Sequence, residues 1–193
     1  MPGSPSPVRH ALRSRPLDSS IDPALFSRVT FGQQPWAIEV EQFFRGKAVT
    51  LEEHGVCATT VFQLPTEEEI VGFYATRGIK LKVDDAFREA FDISKTKARK
   101  MPAEFDACYL IAFGINIAYQ RRGYSPEIHL HLVESLTTAA MRPPYIFLKC
   151  WADNPAIWLY HDWEYKTIHE ERLVRSTDGR EEVRYWMALK VRD

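Results

Sequence analysis

The sequence predicts a mixed α/β domain, and three observations carry that expectation. Two apolar runs, 108–117 and 145–151, read as central strands, and each leads into a helix start signal. Two pairs of β-branched and aromatic segments, 59–64 with 70–76 and 165–175 with 182–191, read as antiparallel hairpins. Between residue 35 and about residue 50, Trp36, Val40, Phe43, Phe44 and Ala48 recur at spacings of three and four, the stripe of a helix that buries one face.

Length and composition limit the alternatives. A chain of 193 residues supports one domain with a substantial core. With 45% hydrophobic and 26% charged residues it has the make-up of a globular protein and not of a disordered one. No apolar run reaches the ~20 residues that span a bilayer. The first residues lack the apolar stretch of a signal peptide, so the expected location is cytoplasmic, with no membrane partner. Cys57, Cys108 and Cys150 are an odd, widely spaced set with no C-x-x-C pair, which predicts buried reduced thiols and no metal site. A net charge of -1 gives no global attraction to nucleic acid, so any such contact requires a local patch.

Residues 1–22, rich in Pro, Ser and Arg, are expected to form a flexible arm ahead of a domain spanning 23–193. Pro35 suits the first position of the helix that follows, and Gly55 the connection after it. Pro65 and the acidic run Glu67, Glu68 and Glu69 form the turn of the first hairpin. A short helix is expected over 84–91, followed by the dense basic cluster Lys95, Lys97, Arg99 and Lys100. Ser125 is expected to cap the next helix, with Pro126 in its first turn. His129 and His131, two apart on it, cannot face one site as a metal pair and are expected at the surface. Asp153, Asn154 and Pro155 start the last helix, and Asp178-Gly179 turns the closing hairpin. In the final strand Val183, Tyr185, Met187, Leu189 and Val191 alternate onto one face.

The chemistry concentrates between residues 113 and 160. Phe113, Gly114 and Ile115 end a strand, and Gln120, Arg121, Arg122, Gly123, Tyr124 and Ser125 form the tight loop before the helix. Such a loop aims backbone N–H groups at one point, the helix dipole adds positive potential, and two arginines add full charges. Together these suit a diphosphate, and Gly123 allows the backbone to turn without a Cβ clash. Phe113-x-Ile115 followed by Tyr119-Gln120-x-x-Gly123-x-Ser125 resembles the acetyl-CoA motif of the GNAT superfamily of N-acetyltransferases. Asn154-Pro-Ala156-x-x-Leu159-Tyr160 is similar to that superfamily's next motif, an Asn-led helix ending in a Tyr.

The resemblance, which covers roughly residues 36–191, implies a GNAT fold: a single α/β domain whose mixed central sheet splays at the acetyl-CoA strands, with helices on both faces. It implies that main-chain groups at Phe113, Gly114 and Ile115 hold the pantetheine arm of acetyl-CoA. The loop from Gln120 to Ser125 would take the pyrophosphate, with Asn154 counted in the cofactor site and Tyr160 as the acid that protonates the departing thiolate. No metal is implied. Two departures from the family pattern stand out. Ser125 replaces the usual Gly or Ala, and Glu164-Tyr165 replaces the usual Gly-Phe.

Segments 43–48, 59–63, 70–75 and 95–102 are similar to the toxin branch of that superfamily, found in bacterial toxin–antitoxin pairs. This implies acetylation of the α-amine of aminoacyl-tRNA, with Lys95, Lys97, Arg99 and Lys100 as candidate tRNA contacts, and a small DNA-binding antitoxin as partner. Assembly as a homodimer stays open. So do two other readings: a GNAT acting on a small amine such as an antibiotic or polyamine, and a non-catalytic acyl-CoA-binding module.

Overall fold

The computed structural model describes residues 12–18, 21–65, 69–138, 142–174 and 181–191. In chain order the elements are β1 (Arg13–Pro16), α1 (Pro23–Arg28), α2 (Pro35–Gly46), α3 (Ala48–Glu53), β2 (Ala58–Gln63), β3 (Ile70–Lys82), α4 (Asp85–Ala90), α5 (Lys95–Ala98), β4 (Glu104–Ile115), a 3-10 turn (Ile117–Tyr119), α6 (Tyr124–Thr138), β5 (Tyr145–Trp151), α7 (Ala156–Asp162), β6 (Lys166–Val174) and β7 (Glu181–Lys190). The strands are ordered β1-β2-β3-β4-β5-β7-β6. β1 is antiparallel to β2, and β7 is antiparallel to both β5 and β6. β4 and β5 are parallel, paired at Cys108 with Ile146, Tyr109 with Phe147 and Leu110 with Leu148, whereas β4 continues to Ile115 and β5 to Trp151.

Several expectations are corrected. The flexible arm does not extend through residue 22, because Arg13 to Pro16 pair with Gln63 to Thr60. Leu17 anchors that strand: it is fully buried and its N–H bonds to the Thr59 carbonyl at 2.8 Å. Residues 1–11 of the expected arm, part of the first hairpin turn (66–68) and the Asp178-Gly179 turn lie outside the described residues. The single helix from residue 35 divides into α2 and α3 at Lys47, where φ -125° and ψ -31° leave the helical well just after Gly46, a poor helix former. α6 begins at Tyr124, so Ser125 lies inside its first turn and is not its cap. β7 does not alternate cleanly, since Met187, Ala188 and Leu189 are buried in succession. It lies between β5 and β6 and packs on both faces, which removes the period-two pattern.

The chain divides into two compact units, residues 1–75 with 112–134 and residues 76–111 with 135–193. The first is packed around Phe44 and Phe73, ring centroids 4.4 Å apart, with Phe31 against both. The second is packed around Phe87, which lies edge-on to Tyr145 at 5.1 Å, while Phe105 stacks on Tyr145 at 4.8 Å. Asp84 caps α4 by accepting from the Phe87 N–H at 2.8 Å.

The two histidines of α6 are not at the surface. Ile128, His129 and Leu132 form its buried face, and His131 is half-buried with Nδ1 3.1 Å from the Tyr74 hydroxyl and its ring edge-on to Phe62. Burial lowers the His129 pKa to about 4.

α7 ends in a Schellman motif. The Glu164 N–H bonds to the His161 carbonyl and the Tyr165 N–H to the Tyr160 carbonyl, both at 2.9 Å. The ring of Tyr165 closes the motif against that of Tyr160, centroids 5.5 Å apart. Glu164 adopts φ 66° to make the turn, the left-handed region in which glycine carries no Cβ penalty. The departure from Gly-Phe thus costs backbone strain at residue 164 and keeps an aromatic anchor at residue 165.

Two stability predictions follow from these features. His129 is neutral in the folded protein down to pH near 4, whereas the unfolded chain takes up its proton near 6.5, so this site subtracts stability as pH falls below 6.5. Between pH 7 and pH 5 the loss amounts to about 2 kcal/mol; urea titrations at both pH values should show most of that difference removed in His129→Gln. Glu164→Gly should raise unfolding free energy by about 0.5–1 kcal/mol, the left-handed penalty less the entropy glycine adds to the unfolded chain. A thermal melt of the variant checks it, and a lower Tm would show that the Glu164 side chain contributes more than its backbone costs.

Candidate functional site

The turn between β4 and α6 is built from its backbone outward. Asn116, buried after the end of β4, donates from Nδ2 to the Ile70 carbonyl at 3.0 Å and accepts from the Ala118 N–H at 3.3 Å. Its own N–H bonds to the Val71 carbonyl at 2.9 Å. Gln120 then spends both amide hydrogens on carbonyls, those of Phe31 at 3.1 Å and Ile115 at 3.0 Å. Arg121 at φ 61° and Gly123 at φ 83° are both left-handed, which folds the chain tightly before the 15-residue helix α6. The guanidinium of Arg122 lies 5.3 Å from the centroid of Tyr119, and the Tyr119 hydroxyl donates to Glu69 at 2.6 Å. Tyr124 is buried against Tyr119, Leu64 and Val71. Gln120 to Ser125 are thus brought together in one turn, but Gln120 serves as a latch on the backbone.

The strand end beside this turn is equally constrained. A Cβ on Gly114 would lie 2.6 Å from Phe31 Cε1 and 2.9 Å from Phe73 Cε1, so only glycine fits under the Phe31 ring. The segment carrying Phe31 is held from α2. Glu41 accepts from the Thr30 hydroxyl at 2.8 Å, and Arg45 donates to the Val29 carbonyl at 2.6 Å. No pattern in the sequence singles out Phe31, Glu41 or Arg45 as supports for the turn. The signal that existed was Gly114 itself, a glycine inside a strand, which marks close approach of another group.

In the second unit, Asn154 accepts from the Ala156 N–H at 2.9 Å, and its carbonyl accepts from the Ile157 N–H at 3.0 Å. Asn154 therefore shapes the start of α7. One helical face further on, Tyr160 is buried with Trp163 and Tyr165 edge-on to its ring at 5.9 and 5.5 Å. Burial pushes the Tyr160 phenol well above the ordinary tyrosine value, and the neighbouring Cys150 thiol adds to the shift. Cys150 is itself raised to about 12, chiefly by burial and further by Asp153.

The basic cluster forms a helical turn, α5, capped by the Ser94 hydroxyl accepting from the Lys97 N–H at 3.3 Å. Lys95, Lys97, Arg99 and Lys100 are all exposed, and none has an ion pair among the described residues. The groove between α4 and α5 is of mixed charge, with Asp85, Glu89 and Asp92 facing Arg88, Lys95 and Arg99.

No protein-family model and no curated protein matches the sequence. Solved structures do match its fold. A bacterial toxin is 16% identical with a TM-score of 0.66, over 93% of this chain and 92% of that one. AtaT complexed with acetyl-methionyl-tRNAfMet is 17% identical with a TM-score of 0.63, over 90% of this chain and 94% of that one. Arabidopsis thaliana NAA60 in complex with a bisubstrate analogue is 16% identical with a TM-score of 0.62, over 94% of this chain and 100% of that one. The similarity at these identities is one of architecture, and the architecture of this chain is the GNAT fold.

Proposed function

We propose that the chain is an acetyl-CoA-dependent N-acetyltransferase whose acceptor is the α-amine of an aminoacyl-tRNA. The observation that carries the reading is the β4–α6 turn, in which left-handed residues 121 and 123 stand between a buried strand and the first N–H groups of a long helix. A backbone turned in this way offers several N–H groups to one anion, and the helix dipole adds to them. Arg121 and Arg122 are exposed beside it. This is a cradle for a diphosphate formed by main chain and two cations, with Gln120 fixing its shape.

Acetyl-CoA supplies the thioester that an amine can attack. An α-amine has a pKa near 8, so enough is neutral at pH 7 for attack without a strong enzyme base. The chain's own part begins with orientation: Phe113, Gly114 and Ile115 would hold the pantetheine arm through main-chain groups, and the Ile115 carbonyl is fixed by Gln120. Tyr160 would give its proton to the departing sulfur while the nitrogen loses one to solvent, which restores the phenol. Burial keeps the Tyr160 phenol protonated at every physiological pH. Cys150 stands beside it, yet a thiol held at about 12 is not a nucleophile at neutral pH, which favours direct attack over an acyl-enzyme.

Two observations support the tRNA acceptor. Four exposed cations lie together on and just after α5, suited to positioning phosphates without reading sequence. AtaT, of the same fold, has been solved with acetyl-methionyl-tRNAfMet. Structures of AtaT bound to the C-terminus of the antitoxin AtaR support an antitoxin as partner of this chain as well. The test is acetyl-CoA turnover with charged tRNA beside a panel of free amines; turnover of a free amine alone would assign the chain to small-molecule acetylation.

Gly123→Asp should abolish acetyl-CoA binding in calorimetry while the far-UV spectrum is kept, because it places a carboxylate at the diphosphate. Undiminished binding would remove the cradle. Tyr160→Phe should lower kcat by about 10² to 10⁴ with little change in acetyl-CoA affinity. The wild-type kcat profile should show no tyrosine ionisation up to pH 10; a variant within twofold of wild type would make Tyr160 a packing residue.

A further inference from the structure

The outer side of α7 runs against the ordinary preferences of a helix in water. Ile157 and Tyr160 form its buried side. On the opposite side Trp158 is 72% exposed and Leu159 38% exposed. Residues three and four apart share a helix face, so Asp162 lies beside both Trp158 and Leu159, and Pro155 lies one turn before them. Burial of an indole is among the larger apolar gains open to a chain, and here folding leaves most of that gain unused.

The charges around this pair are also placed at a cost. Asp162 is the last residue of α7, Glu164 follows in its closing turn, and both are exposed. A helix C-terminus carries partial negative charge and favours cations, so both carboxylates stand where the dipole disfavours them. Glu164 adds left-handed backbone at φ 66°. Asp153, ahead of the helix, is exposed as well, and Lys166 is the one Lys or Arg between residues 150 and 171. Local preferences set aside together in this way are expected at functional surfaces. The chemistry of the occupant follows from that of the surface. An apolar pair rimmed by carboxylates is matched by apolar side chains flanked by Lys or Arg, as on a basic amphipathic helix. RNA and anionic lipid would bring further negative charge to the rim. A second copy meeting this face about a two-fold axis would set the same carboxylates against one another.

We propose that the outer side of α7 docks a basic amphipathic segment of another protein, with apolar side chains on Trp158 and Leu159 and cations at Asp162 and Glu164. The proposal stands apart from the acetyl-CoA reading, because binding is read without acetyl transfer. The full chain is titrated into a fluorescein-labelled peptide of about fourteen residues, an amphipathic helix with Leu at i, i+3, i+4 and i+7 and Lys elsewhere. Binding is followed by anisotropy at several salt concentrations. Wild type should bind, with affinity falling as salt rises. Trp158→Ala should weaken binding roughly tenfold or more, as truncation of an interface aromatic does. Its exposed position means that the far-UV spectrum should match wild type. Asp162→Asn should lower affinity and flatten the salt dependence. Glu164→Gly, expected to be the more stable protein, should bind more weakly, an opposition that a purely structural role would not give. Tryptophan emission should shift to the blue when unlabelled peptide binds wild type, and the shift should be absent in Trp158→Phe. No binding by wild type, equal binding by wild type and Trp158→Ala, or equal binding of a peptide with Ser in place of Leu would each overturn the proposal. So would tighter binding of a peptide with Glu in place of Lys, or Trp158-dependent capture by phosphatidylcholine vesicles with none by the peptide.

Discussion

No side chain can be placed on Gly114, and the first unit is arranged around that restriction. The Phe31 ring lies on the bare backbone there, and a Cβ on Gly72 would come within 2.7 Å of the Gly114 carbonyl. Contacts this close tolerate no added methyl group, because the surrounding core is already packed. Phe31 in turn brings its carbonyl to the Gln120 amide, and the adjacent Thr30 carbonyl accepts from the Ile117 N–H at 2.8 Å. The geometry of the β4–α6 turn is therefore set by a packing contact at the end of the preceding strand. A loop proposed to hold a diphosphate is thus shaped by the chain's own contacts, and a turn fixed in that way offers backbone N–H groups to an anion without a large ordering cost.

Burial settles the protonation states of the second unit. Tyr160 and Tyr165 are both raised, and Cys108 and Cys150 are both raised to about 12, each mainly by loss of water. The surroundings of α7 therefore hold neutral donors and no thiolate. Groups in such surroundings stay protonated at neutral pH, which leaves no reactive cysteine thiolate among them. The same burial explains why the Tyr160 ring is held by aromatic neighbours and by a helix C-terminus that accepts strain at Glu164.

A net charge of -1 and the proposed RNA acceptor are compatible because the charges are unevenly placed. α5 gathers exposed cations. Carboxylates are interleaved with them, at Asp85, Glu89 and Asp92 in the groove. Attraction of that kind acts within about one Debye length, some 8–10 Å, so local placement outweighs the total.

Much of this was legible in the residues. Strand β5 was bounded correctly by its apolar run, α4 lies within the expected 84–91, and the strand-turn-helix order around Gly123 is as expected, although β4 begins at Glu104 and ends at Ile115 and α6 begins at Tyr124. These are local signals: hydrophobic period, capping side chains and a residue free to adopt positive φ. The strand at Arg13–Pro16 and the burial of His129 were not legible, because each depends on a partner distant in sequence, whereas the break between α2 and α3 follows Gly46, a local signal outweighed by the apolar stripe that runs across it. The same holds for the site. The sequence pointed to Gln120 and Asn154 as ligand contacts from their place in a motif, whereas folding spends the Gln120 amide on the carbonyls of Phe31 and Ile115 and the Asn154 side-chain oxygen on the start of α7. Nor could Lys149 and Trp186 be paired from the chain, being 37 positions apart (186 less 149) until the β5–β7 register sets them opposite. Local chemistry is written along the chain, but which cation covers which ring is decided by strand register, and register is a property of the folded sheet.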